Sequence, residues 1–138
     1  MSGTSNHILL VEDNTFDAKV FRRALHEANP EIPITVVGDG IQALALLRNF
    51  TWIAGPGLVV VTDLNIPRMN GIELLRTIRA DAAVAHLPVF VVTTSDAPTD
   101  REKALELGIE AYICKTGEGR DLVEPIIAYV TQQERCEP

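Results

Sequence analysis

Five short runs of β-branched and aliphatic residues punctuate the chain, at Ile8–Val11, Ile34–Val37, Leu58–Thr62, Val89–Thr93 and Ala111–Cys114. Runs of four or five residues are strand-sized, and helical periodicity comes after each of them. The third and fourth, LVVVT and VFVVT, are apolar on both alternating faces. That pattern suits parallel strands covered on both sides. Strands alternating with helices require right-handed crossovers, which lay the helices against the two faces of one sheet.

The helical segments carry their own punctuation. Asn14 can cap a first helix with Phe16, Val20, Phe21, Ala24, Leu25 and Ala28 on one face, ended by Asn29-Pro30. Ile41, Leu44, Leu47 and Phe50 mark a second helix, and Ile72, Leu75 and Ile78 a third. A fourth runs from Pro98 to Leu107 and is stopped by Gly108. The fifth spans about Asp121 to Gln133, with Leu122, Ile126, Ile127 and Val130 inward and Pro125 in the first turn or at a kink. Thr51–Gly57 reads as a loop on the edge away from any site. Five such units fit an α/β, flavodoxin-like (βα)5 doubly wound parallel sheet of strand order 2-1-3-4-5. The order is adopted from the fold class, since periodicity does not fix which strands are neighbours.

A chain of 138 residues with 46% apolar content supports one core, so residues 1–138 read as a single domain with its core at about 7–132. Net charge is −7 and no Lys/Arg-rich run occurs, which argues against binding nucleic acid or an anionic membrane. The segment MSGTSNH lacks the apolar stretch of a secretory leader, and no run approaches a membrane span. Cys114 and Cys136 offer neither a disulfide framework nor metal spacing, and a cytoplasmic location is expected. His7, His26 and His86 are scattered and read as surface residues.

The chemistry lies at the ends of the strands. Glu12 and Asp13 come directly after the first and Asp63 after the third, Thr93 closes the fourth, and Lys115 succeeds the fifth. In a parallel sheet these C-terminal ends share one edge, where doubly wound folds bind ligands. Two carboxylates 4 Å apart repel by roughly 4 kcal/mol at an effective dielectric near 20, so three together demand a cation. Oxygen-only ligands suit Mg²⁺. With a metal in place one carboxylate can attack phosphorus and form an acyl phosphate. Lys115 can balance phosphoryl oxygens, and the Thr93 hydroxyl can donate a hydrogen bond to them.

These residues, within ILLVEDN, VVVTDLNIPRMNG, LPVFVVTTSD and AYICK, resemble the receiver domains of two-component response regulators over about Ile8 to Val130. The resemblance implies that Asp63 is the phosphoacceptor and that Asp13, Asp63 and the backbone carbonyl of Asn65 ligate Mg²⁺, with Glu12 assisting through water. It makes Thr93 and Tyr112 the switch pair and a phosphohistidine on a sensor histidine kinase the donor. LLVEDN, DLNIPRMNG and TTSDAPTD look most like single-domain regulators paired with bacterial phytochromes, and LLRTIRADAAVAHLPV looks like the chemotaxis receiver. Two positions depart from the family. Thr116 replaces the usual proline after the lysine, so the Lys115–Thr116 bond is expected to be trans or strained, in a loop Thr116–Gly119 that two glycines loosen. Asn70 stands where aspartate is commoner.

Rival functions fit less well. A phosphohydrolase of the aspartyl-phosphate type needs a second Asp two residues after the nucleophile, where this chain has Asn65. A flavin module needs a phosphate loop after the first strand, where Glu12 and Asp13 would repel phosphate. A degenerate receiver would have lost part of the acid pair, Asp63, Thr93 or Lys115. The chain therefore reads as a stand-alone phosphoacceptor protein, acting as a catalyst only for its own phosphorylation and dephosphorylation. The tail Gln132–Pro138 is too short for a DNA-binding domain, so output is expected through protein contacts. A homodimer is expected through helix 4, strand 5 and helix 5, where Ile109, Tyr112, Ile127 and Tyr129 cannot all enter the core.

Overall fold

Each of the five β-branched runs forms a strand in the computed structural model, which describes residues 6–49, 57–115 and 119–135. The elements are β1 (His7–Val11), α1 (Thr15–Ala28), β2 (Ile34–Val37), α2 (Gly40–Leu47), β3 (Leu58–Thr62), α3 (Gly71–Ala80), β4 (Val89–Thr93), α4 (Pro98–Glu106), β5 (Ala111–Cys114) and α5 (Gly119–Arg135). All pairings are parallel and the strand order is β2-β1-β3-β4-β5, the doubly wound flavodoxin-like arrangement. Phe50 and residues 51–56, expected to form a helix end and a loop, lie outside the described residues.

The alternation of strand side chains divides the core into two layers. Leu9, Val11, Val60, Val89 and Val91 face one way and pack with Leu44, Leu47, Leu74, Leu75 and Ile78 of α2 and α3. Ile8, Leu10, Val59, Val61, Phe90 and Val92 face the other, against Phe21 and Leu25 of α1 and Leu122, Ile126 and Val130 of α5. β3 and β4 are buried at every position, as their unbroken apolar runs require. At about 1.5–3 kcal/mol for each buried Leu, Ile, Val or Phe, these layers dominate the stability.

Several local expectations change. Phe16 is 71% exposed, and Ala18 takes the inward place instead. At 3.6 residues per turn, Phe16 lies roughly 140° around the helix from Phe21, whereas Ala18 lies within about 60° of it. Ala28 and Ile41 are likewise exposed, and Ala43 carries the inner face of α2. α5 starts at Gly119, two residues before Asp121, so Pro125 falls in its second turn and not its first. His7 is not a surface residue. It is half-buried on β1 with Nε2 2.9 Å from Thr35 Oγ1, and burial pushes its imidazole below the usual histidine range.

Arg79, at the end of α3, fastens two connections. Its guanidinium donates to the carbonyls of Leu107 (2.7 Å), Gly108 (3.0 Å), Ala85 (3.0 Å) and Leu87 (2.8 Å). It thereby satisfies the C-terminal carbonyls of α4 and the approach to β4, work that a planar fork of donors does better than a lysine. Asn70 and Glu73 start α3 as a reciprocal capping box, so asparagine serves fully at position 70.

Candidate functional site

Hydrogen bonding continues past the strand ends and sets the backbone of the acidic residues. Glu12 N donates to Val37 O (2.9 Å), Asp63 N to Val11 O (3.1 Å) and Lys115 N to Thr93 O (2.8 Å). Three residues from distant parts of the sequence are thus held at the C-terminal edge, at the β1/β3 switch point and beside it.

The side chains meet on one ammonium. Lys115 Nζ donates to Glu12 Oε1 at 2.6 Å, Asp63 Oδ2 at 2.7 Å and Asp17 Oδ2 at 2.9 Å. Glu12 and Asp63 are each only 6% exposed. Their other oxygens are also engaged: Asn14 N donates to Glu12 Oε2 (3.1 Å) and Asn65 N to Asp63 Oδ1 (3.0 Å). Burial raises the Glu12 carboxyl above the usual carboxylate range, against the opposing pull of Lys115. Burial by itself would lower the Lys115 ammonium, but its hydrogen bonds to Asp63, Glu12 and Asp17 outweigh it and hold the group well above the usual lysine value. Asp13 and Asn65 stand exposed beside this cluster.

A cleft of about 230 Å³ opens onto the cluster. Glu12, Asp17, Asp63, Thr94 and Lys115 line its polar end, and Phe16, Val20 and Leu122 are among its apolar walls. Thr93 is fully buried, and its Oγ1 accepts from Ser95 N at 3.2 Å. Ser95 O in turn accepts from the Tyr112 hydroxyl at 2.9 Å. Tyr112 is half-buried with the Arg101 guanidinium 5.6 Å from its ring centre. Burial raises its phenol above the ordinary tyrosine value.

Sequence reasoning found Glu12, Asp63 and Lys115, which the fold brings together, and Asp13, which flanks them. It missed Asp17, Thr94 and Ser95. Asp17 stands in the first turn of α1, where an acidic residue ordinarily complements the helix N-terminus, so no local signal marked it as a partner of Lys115. The Lys115–Thr116 bond and residues 116–118 lie outside the described residues.

The comparisons agree with this geometry. The model of the response regulator receiver domain matches residues 8–127. The chain is 30% identical over 132 residues to the response regulator Rcp1 of Synechocystis sp., an alignment covering 91% of this chain and 89% of Rcp1. A Mn²⁺-bound form of Rcp1 superposes with a TM-score of 0.74 at 28% identity, covering 95% and 93% of the two chains. The bacteriophytochrome response regulator RtBRR superposes at 0.76 with 34% identity, over 88% of this chain and 76% of its own. The phosphorylated cyanobacterial phytochrome response regulator RcpA does so at 0.74 with 29% identity, over 94% and 91%. Strand order, a strand-end acid cluster closed by a lysine, and a family match spanning nearly the whole fold lead to one assignment: the chain belongs to the receiver-domain family of two-component response regulators.

Proposed function

We propose that this receiver accepts a phosphoryl group on Asp63 from a phosphohistidine of a sensor kinase, in a Mg²⁺-dependent reaction, and relays the change to a protein partner. The observation that carries it is the meeting of Asp63, Glu12 and Lys115 at the floor of a cleft. An oxygen of Asp63 attacks phosphorus, and the new O–P bond forms as the bond to the histidine nitrogen breaks, its electron pair leaving with the imidazole. Lys115 is held where phosphoryl oxygens would arrive. Thr94 lines the cleft wall, and Thr93 can supply its hydroxyl once it leaves Ser95 N.

The residues fit Mg²⁺. Three carboxylates face a single ammonium, with Asp13 adjacent, which leaves an excess of negative charge among oxygen donors. That suits a cation that keeps several waters and takes only one or two carboxylates. Asp13, Asp63 and the Asn65 carbonyl would hold it directly and Glu12 through water, and it would neutralise the charge that develops on the phosphoryl oxygens. Incubation with acetyl phosphate and Mg²⁺, with intact-mass measurement afterwards, is expected to add one alkali-labile phosphoryl group and none once the metal is chelated. Labelling that survives chelation would remove the metal from the reaction.

The kinase proposed is of bacterial phytochrome type, supported by the likeness to RcpA and RtBRR. Thr93 and Tyr112 form the proposed switch, linked through the two backbone groups of Ser95. A Thr93 hydroxyl drawn to the phosphoryl group would release Ser95 N and loosen the carbonyl that holds Tyr112. The readout surface, and the proposed homodimer face, is the β5 edge with α4 and α5. There Ile109 and Tyr112 are half-buried against one core layer, Ile127 and Tyr129 against the other. With ¹⁹F-labelled tyrosine, Tyr112 should shift on phosphorylation in the parent and stay put in Thr93→Ala, while sedimentation velocity of the same samples reports dimers. Changes confined to α1 and α2 would overturn the switch, and monomers at every concentration would overturn the dimer.

A further inference from the structure

Asp17 bonds directly to the lysine that the acceptor chemistry needs. An ammonium has three hydrogens, and those of Lys115 are fully committed to Glu12, Asp63 and Asp17. Any hydrogen bond from Lys115 to a phosphoryl oxygen must therefore displace one of the three. The Glu12 and Asp63 side chains are 5% and 7% exposed, whereas that of Asp17 is 35% exposed. Once bonded to phosphorus Asp63 is no longer a carboxylate, which leaves Glu12 and Asp17 as the charged partners of Lys115, and losing the ammonium costs buried Glu12 far more than water-accessible Asp17. Asp17 is the charged partner from which phosphoryl oxygens can most readily draw the ammonium.

We propose that Asp17 is a positioning residue that competes with the phosphoryl group for Lys115 and so weakens phosphoryl retention; this rests on the reading of Asp63 as the acceptor. Before transfer, Asp17 holds the ammonium at the mouth of the cleft and stabilises the unmodified site. After transfer, its carboxylate contends with the phosphoryl oxygens for the same cation and remains beside the added negative charge. Both effects favour the unphosphorylated form. Asp17 departs from a purely structural role because its contribution to α1 is separable: the cap bond runs from Asp17 N to Asn14 Oδ1 and does not involve its carboxylate.

The test uses beryllium trifluoride with Mg²⁺, a non-covalent phosphoryl mimic, read by ¹⁹F NMR on the whole chain. Asp17→Asn should bind it about three- to tenfold more tightly, the size expected of one like charge a few ångströms away and partly screened by water. Asp17→Ser should do the same, and Asp17→Glu should return to the parental affinity. A structural role would instead lower the urea midpoint without tightening binding. Equal or weaker binding by Asp17→Asn and Asp17→Ser, with a parent that binds, overturns the competition alone. A parent that takes up no beryllium trifluoride overturns the acceptor reading and this proposal with it.

Discussion

Asp63→Asn should cut phosphoryl uptake from acetyl phosphate by more than about a hundredfold, because an amide oxygen is too weak a nucleophile to replace the carboxylate. The variant should nevertheless fold. Its side-chain oxygen can still accept from Asn65 N, and Lys115 keeps Glu12 and Asp17. The lost ion pair is offset in part by relief of repulsion between the Asp63 and Glu12 charges, so stability should change by no more than about 1 kcal/mol. Intact-mass labelling and urea denaturation measure the two halves. Full labelling of a folded Asp63→Asn protein would move the acceptor elsewhere.

Lys115→Met should have the largest effect on stability. It leaves the buried carboxylates of Glu12 and Asp63 without their cation, a change that costs about 2–4 kcal/mol near neutral pH. The loss should depend on pH in a defined sense. Burial already holds the Glu12 carboxyl above its ordinary 4.5, and Lys115 opposes that rise. Without the lysine the carboxyl climbs further, so folding favours its protonated form. That stability is fully present below the unfolded value and is lost as pH rises through the raised folded value. In the parent the lysine is itself raised above 10.5, so its contribution persists until the pH exceeds that value. The gap between parent and variant should therefore narrow from about pH 8 to about pH 5. Urea midpoints at both pH values decide it, and a gap that widens on acidification would show that Glu12 is not the carboxylate left exposed to the loss.

The strands were legible because their burial is simple. LVVVT and VFVVT have no polar face to present to water, so only the middle of a covered sheet accommodates them. The convergence of Glu12, Asp63 and Lys115 was legible for a topological reason, since parallel strands place all their C-terminal ends on one edge. What stayed hidden depended on rotation and on long side chains. Thr93 and Thr94 are adjacent and identical, and the alternation along a strand gives one to the interior and the other to the cleft. Asp17 meets Lys115 across 98 positions of sequence, through a flexible four-carbon stem whose reach no local pattern encodes. His7 read as a surface residue because an isolated histidine gives no hint that Thr35 will lie beside it on the neighbouring strand.

Behind Asp63, α3 begins so close to the strand end that position 71 has no room for a side chain. A β-carbon on Gly71 would stand 2.5 Å from Asp63 O and 2.7 Å from Leu64 Cα, both backbone atoms, while Gly71 N donates to Leu64 O at 2.9 Å. Backbone cannot swing aside as the tip of a side chain can, so even alanine would have to push the backbone of Asp63 and Leu64 out of place. The permissible vocabulary at this position shrinks to a single letter, although the residue carries no charge, no hydroxyl and no nucleophile. A site's tolerance to drift is set here also from the rear: the wall supporting the chemistry in front admits no side chain at all.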